Sequence, residues 1–236
     1  MISVCLTVFE GELFLEEQIS SILIQLSAED ELIISDDSLS SKSKNIVEMI
    51  NDNRIVLIEG PKKGVVMNFE HALKKASGDF IFLSDQDDVW LPNKVELCLS
   101  ALSKHDLVLT NSIVVDKDLK HIKNLFKGHV NLDSVLRILV TNKYIGSCMA
   151  FRKCVLEYAI PFPKYISMHD WWIGISVMIR GSVYYESEPL MLYRRHENNI
   201  TNTGNDSKNS FFKKIHFRLG MLHAIYCLIF KNMKNK

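Results

Sequence analysis

The stretch FLSDQDDVWLP, residues 82–92, sets three aspartates, Asp85, Asp87 and Asp88, directly after an apolar run. Like charges this close repel and raise one another's pKa. Such a cluster needs either full solvation in a turn or a cation between the carboxylates. The run that precedes it, DFIFLS (79–84), reads as a buried strand, and Pro92 suits the first turn of a following helix. The acids therefore stand where a strand hands over to a helix.

Working outward, the same alternation repeats. ISVCLTV (2–8) is β-branched and almost wholly apolar, as a strand covered on both faces should be. Leu15, Ile19, Ile22, Leu23 and Leu26 then recur at helical spacing. ELIIS (31–35) is a second buried strand, followed by Asp36, Asp37 and Ser38, with a weak helix near 43–51. RIVLI (54–58) is a third strand. From Gly64 a helix carries Val65, Phe69, Ala72, Leu73 and Ala76 on one face, with Gly78 as a plausible C-cap. Strand and helix in alternation imply an α/β fold with a mostly parallel, doubly wound sheet. In such sheets ligands bind beyond the carboxyl ends of the strands, where Thr7, Phe9, Asp36, Asp37 and the three later aspartates collect.

After about residue 105 the alternation loosens. Strands are expected over 106–115 and 147–152, helices over 131–141 and 169–180, and one or two strands over 183–195, broken at Pro189. No Gly, Ser or Pro tract separates this part from the first. We read 1–206 as one domain, with 1–104 a nucleotide-binding half and 105–206 an acceptor half on the same sheet.

The formal net charge is zero, which argues against a nucleic-acid binder. The charge is nonetheless segregated. Residues 207–236 hold seven Lys or Arg and no acid, which leaves 21 basic against 28 acidic residues in 1–206. Within 211–236, Phe212, Ile215, Leu219, Leu222, Tyr226 and Ile229 recur at helical spacing among lysines. This basic amphipathic helix suits either an anionic membrane surface or packing on the body or another subunit. Five cysteines without zinc-like spacing fit buried thiols in a reducing compartment. With no signal peptide and no apolar run of bilayer length, the expected location is cytoplasmic, peripheral on the inner face of the cell membrane.

Four segments carry candidate chemistry. Asp85 and Asp87, two apart, can aim at one Mg²⁺ or Mn²⁺, ions that keep water and substrate phosphates among their ligands. Asp36-Asp37-Ser38 fits an Asx turn, or a carboxylate that receives hydrogen bonds from a uracil or thymine imide or a ribose. In SMHDWWIGI (167–175), Asp170 stands beside Trp171 and Trp172. A carboxyl in a partly dry pocket has a raised pKa and can act as a general base, and tryptophan faces suit sugar rings. Asp170 equally suits a helix cap, with the tryptophans in the core. In LYRRHENNIT (192–201), His196 could complete a metal shell and an arginine could bind diphosphate.

In order and spacing, ISVCLTVF…FLEEQISSIL, LIISDDS, GVVMNFEHAL…ASGDFIFLSDQDDVWLPNKVE, MHDWW and EPLMLYRRHENN resemble the family 2 glycosyltransferases of the GT-A fold, especially the bacterial rhamnosyltransferase-like branch. The likeness covers about residues 1–200. It implies a Rossmann-like mixed sheet flanked by helices and an inverting, metal-dependent transfer of one sugar, from a UDP- or dTDP-sugar to a glycan or lipid-linked saccharide, in surface glycan assembly. It implies that Thr7 and Phe9 line the base pocket, with Asp37 near the base or ribose and Asp85 by the ribose and diphosphate. It further implies Asp87 as the main metal ligand, His196 beside metal and diphosphate with Arg194 nearby, and Asp170 as catalytic base; Trp171 and Trp172, read from the segment itself, are expected to bind the acceptor. This chain departs from the usual pattern at Phe9-Glu10, where Tyr-Asn is common, at DDSLSS, and at His169, often an acid. Two rivals share parts of this pattern: a sugar nucleotidyltransferase, which would carry a Gly-rich loop where this chain has FEGELFLEE, and a non-catalytic, transferase-like membrane adaptor.

Overall fold

The computed structural model describes residues 1–197 and 211–230. Asn198, Asn199, the junction at 206–207 and the lysines after Phe230 lie outside the described residues, as does the side chain of Phe212.

Elements follow in the order β1 (Ile2–Val8), α1 (Leu15–Leu23), β2 (Glu31–Asp36), α2 (Lys42–Ile50), β3 (Ile55–Glu59), α3 (Val65–Leu73) and β4 (Phe80–Asp85). Then come β5 (Val89–Trp90), α4 (Lys94–Leu102), β6 (Leu107–Val115), β7 (His121–Asn124) and α5 (Val135–Val140). The chain continues through β8 (Met149–Arg152), α6 (Leu156–Ala159), α7 (His169–Arg180), β9 (Val183–Arg194) and α8 (Phe211–Phe230). Among the described residues these strands form one sheet in the order β3-β2-β1-β4-β8-β6-β9-β5, with β7 pairing β6. Strands β3, β2, β1 and β4 run parallel, β8 is antiparallel to both neighbours, and β6 and β9 run parallel. The sheet is mixed and mostly parallel, as the resemblance implies.

Every residue of β1 is buried, because parallel neighbours and helices cover it on all sides. Its register sets Thr7 opposite Ser35 of β2 on one side and Asp85 of β4 on the other. Strand order reverses at β1, so the crevice beyond Thr7 is the topological switch point at which such sheets bind ligands.

Two pairings bring remote chain to that crevice. β8 runs antiparallel to β4 with Ala150 opposite Phe82, so the 3₁₀ turn Gly146–Cys148 lies beside the end of β4. The two-residue β5 pairs with β9, Val89 opposite Leu192 and Trp90 opposite Met191. That contact sets the aspartate loop against the segment ending in His196.

Four sequence expectations change. β9 runs unbroken through Pro189. Its register against β6 slips around Asn111, whose Nδ2 donates to the Ser187 carbonyl at 3.2 Å, so the proline is absorbed as a bulge. Pro92 precedes α4, whose N-cap is Asn93 with φ 67°. Gly78 does not cap α3, whose C-cap is Lys74; its N–H donates to Ser3 Oγ at 2.7 Å at the entrance to β4. Finally, α8 is not amphipathic in the simple sense. Met221, Ala224 and Leu228 are buried against the body, and Arg218 donates to the carbonyls of Leu139 and Val140 on α5. The row read from sequence, Ile215, Leu219, Leu222, Tyr226 and Ile229, faces outward, with Leu219 59% and Tyr226 61% exposed. The helix is apolar on two nearly opposite faces, and the deeper one is the one the body takes.

Candidate active site

Asp85 ends β4, and its carboxyl is pushed up to about 7, first by burial and then by the charges of Asp87 and Asp170. Residues 85 positions apart in sequence thus face one space. Asp88 is fully buried and held well above the usual carboxylate range by burial and by Asp87 and Asp85. Its Oδ1 accepts the Arg194 backbone N–H at 3.2 Å. Asp87 Oδ2 meets His196 Nε2 at 2.8 Å.

Three buried or half-buried carboxyls with an imidazole beside them form an acidic pocket that a divalent cation would relieve. Asp87 and His196 offer one oxygen and one nitrogen ligand. Among the described residues no group of three side chains converges in ligating geometry. That fits an ion that leaves most positions to water and substrate phosphate oxygens.

Asp170 sits in the first turn of α7. Its Oδ2 accepts from Gly146 N at 3.2 Å and its Oδ1 from Trp171 N at 2.5 Å. Those bonds lower its pKa, but burial dominates and lifts it to about 7. A carboxyl of that pKa is half-ionised near neutrality, as a general base should be. Gly146 is required there, since a Cβ on it would lie 2.7 Å from His169 Nε2. His169 stacks on Phe69 with centroids 3.9 Å apart, neither ring nitrogen has a partner, and burial drops its pKa to about 3. It is a neutral imidazole.

On the nucleotide side, Thr7 is buried and Phe9 is 55% exposed at the rim. Asp37 is buried and its Oδ1 accepts the Lys62 N–H at 2.7 Å, so part of its capacity is spent on the loop after β3. Two expectations need correcting. Arg194 is buried rather than open to a ligand: Nε donates to the Asp87 carbonyl and Nη1 to the Lys117 carbonyl, both at 2.8 Å, Nη2 pairs with Glu17, and the guanidinium lies over Phe14. It braces the Asp87 loop from behind. Trp171 and Trp172 are core residues, their indole N–H groups donating to the carbonyls of Ile138 and Ala159 at 3.1 and 2.8 Å. Buried indoles need such a partner, and it fixes α7 to α5 and α6.

Sequence reading missed the residues that shape the crevice. Gln86 clamps the Phe9 backbone, Oε1 accepting its N–H at 2.7 Å and Nε2 donating to its carbonyl at 3.1 Å. Gln18 donates to Ser84 Oγ at 2.6 Å and the Asp85 carbonyl at 3.1 Å. Asn68 donates to the Ser35 carbonyl at 2.9 Å. One signal was available: Gln18 and Asn68 are polar residues on the buried faces of their helices.

An acidic crevice at a sheet switch point, faced by a helix-borne carboxyl, is suited to a phosphorylated ligand and an acid–base step. The chain belongs to glycosyl transferase family 2, whose sequence profile matches residues 3–158. It is 28% identical to the dTDP-rhamnosyl transferase RfbG of Shigella flexneri, over 91% of this chain and 78% of that protein. It is 32% identical to the UDP-Glc:α-D-GlcNAc-diphosphoundecaprenol β-1,3-glucosyltransferase WfgD of Escherichia coli, over 75% and 70%. Its fold matches TarS of S. aureus, solved with UDP-GlcNAc, at a TM-score of 0.71 and 17% identity, over 94% of this chain and 66% of that one.

Proposed function

We propose that this glycosyltransferase transfers one sugar, with inversion, from a nucleoside diphosphate sugar to a hydroxyl of a glycan or lipid-linked saccharide during surface polysaccharide assembly. The observation that carries this reading is the pairing of β8 with β4, which sets the turn Gly146–Cys148 beside the end of β4 at Asp85, while the Gly146 N–H donates to Asp170. Groups suited to holding a donor and to accepting a proton thereby face one crevice. Asp170 takes the proton as the acceptor oxygen attacks the anomeric carbon. The bond from that carbon to the diphosphate breaks on the opposite face, and its electron pair leaves with the diphosphate. A divalent cation, Mg²⁺ or Mn²⁺, at Asp87 and His196 would supply charge neutralisation for the leaving group. Arg194 acts here as a positioning residue through the Asp87 loop. Thr7, Phe9 and Asp37 would hold a pyrimidine nucleotide, in keeping with the dTDP- and UDP-sugar relatives.

The test is a thermal-shift screen of nucleotide sugars with Mn²⁺, since a ligand of the native state raises its melting point. UDP- or dTDP-sugars should raise Tm only with metal, and Asp87→Ala should remove the response. No response to any nucleotide sugar contradicts the reading.

Among the described residues, no helix is long and apolar enough to cross a membrane. The outer face of α8 is instead suited to lie on an anionic bilayer at the inner face of the cell membrane, because the segment 207–236 carries seven Lys or Arg and no acid. Leu219→Ser with Tyr226→Ser should reduce co-sedimentation with phosphatidylglycerol vesicles while leaving Tm unchanged. Truncation is the poorer probe, because it would uncover the body beneath Met221, Ala224 and Leu228.

A further inference from the structure

Between β7 and α5 lies a cavity of about 250 Å³, apart from the acidic crevice. Lys127, His129, Arg137 and Lys143 line it together with Phe126 and Asn131, and among the described residues no carboxylate does. The contrast with its surroundings is sharp. Residues 1–206 carry an excess of acid, yet 117–143 holds six Lys or Arg against Asp118 and Asp133. Asp133 reaches Arg137 only at 3.6 Å in an exposed pair, while its Oδ2 accepts from Asn131 Nδ2 at 3.1 Å. An exposed pair of this kind is worth little and leaves the guanidinium ready for a stronger anion.

The frame of the cavity is fixed, and it is tied to Asp170. Phe126 exchanges hydrogen bonds with the Asn111 side chain, N–H to Oδ1 at 3.1 Å and carbonyl from Nδ2 at 3.2 Å. His129 packs edge-on to Tyr185. Ile138, next to Arg137, accepts the indole N–H of Trp171, the neighbour of Asp170. Lys143 stands three residues before Gly146, the amide partner of Asp170, a separation of at most about 11 Å along the chain. Beside Arg137 the surface turns apolar: Leu136 and Val140 on α5 are 74% and 67% exposed, next to α8 with its outward apolar row.

A ligand matched to this surface is an amphiphile. Its anionic group fills the basic cavity, its saccharide extends toward Asp170, and its hydrocarbon follows α5 and α8. We propose that the cavity binds the phosphate or diphosphate of a lipid-linked acceptor, an inference that rests on the glycosyl-transfer reading above.

The test uses the full chain with UDP and Mn²⁺ present to fill the donor site, and geranyl diphosphate as the probe, titrated calorimetrically. Wild type should bind it, and more weakly as salt rises. Arg137→Ala with Lys143→Ala should weaken it by about tenfold or more, the scale of lost charge-assisted contacts. Lys127→Ala should weaken it by a smaller factor, and UDP affinity should not change in either variant. Unaltered geranyl diphosphate binding in both variants overturns the assignment. So does a loss confined to phosphatidylglycerol vesicles, which would make the anion a bulk lipid headgroup. Failure of every protein, wild type included, to bind UDP would instead bring down the transfer reading itself.

Discussion

The chain before residue 105 and the chain after it treat their polar groups differently. In residues 1–104, side-chain amides brace the loops around the crevice: Gln86 on Phe9, Gln18 on Asp85 and Asn68 on Ser35. In residues 105–197, buried polar atoms without a partner among the described residues stand close to the candidate base: Tyr144 Oη and both nitrogens of His169. Buried polar atoms without partners are uncommon in native proteins and costly, so their concentration asks for a reason. The difference teaches that the loops beside Phe9, Asp85 and Ser35 are held by the chain's own amides, whereas Tyr144 and His169 near Asp170 hold hydrogen-bonding capacity that the described residues do not use, a property that Ser40, Ser43 and Trp90 share within residues 1–104.

The largest effect that would break this comparison is expected at Asp170. Asp170→Asn should cost about 10²–10⁴-fold in transfer, the usual contribution of a positioned base, with donor affinity retained in calorimetry. Next is His169. His169→Leu replaces an unpaired buried imidazole by an apolar side chain and should raise stability by about 1 kcal/mol in chemical denaturation while lowering transfer. A variant destabilised with its activity intact would show that His169 serves only the core. On the donor side, Gln86→Ala frees the exposed Phe9 backbone and should cost about 1 kcal/mol or less, read as a several-fold rise in donor KM with little change in kcat. The smallest effect belongs to Glu10, held at φ 48°, a region that Asn tolerates better. Glu10→Asn should raise Tm by about 1–2 °C without altering donor affinity.

Much of the donor half was legible because its signals are local. Runs such as ISVCLTV and ELIIS are buried on both faces, so composition alone marks them as strands, and the acids after them fall at strand ends. The burial of Asp170 was legible from its place as the one carboxyl beside two tryptophans in SMHDWWIGI. What was hidden depended on partners far along the chain. Whether Trp171 meets a sugar or a backbone carbonyl is decided by α5, and whether Arg194 meets a diphosphate or the Asp87 carbonyl by the β5–β9 pairing. The stripe in 211–230 was real, but a helix apolar on two faces gives periodicity no means to choose which one is buried. The basic cavity is assembled from the loop after β7, from α5 and from the chain beyond it, and no short motif records it.

The central claim is that Asp170 serves as the base in the crevice where Asp87 holds the donor. Its carboxyl, raised to about 7 by burial, must lose its proton before it can accept one. Single-turnover transfer at saturating donor should therefore rise with pH through about 7 and then level off in wild type. In Asp170→Asn it should be slower by about 10²–10⁴-fold and lack that rise. An Asp170→Asn protein with wild-type rate and the same pH profile would contradict the account.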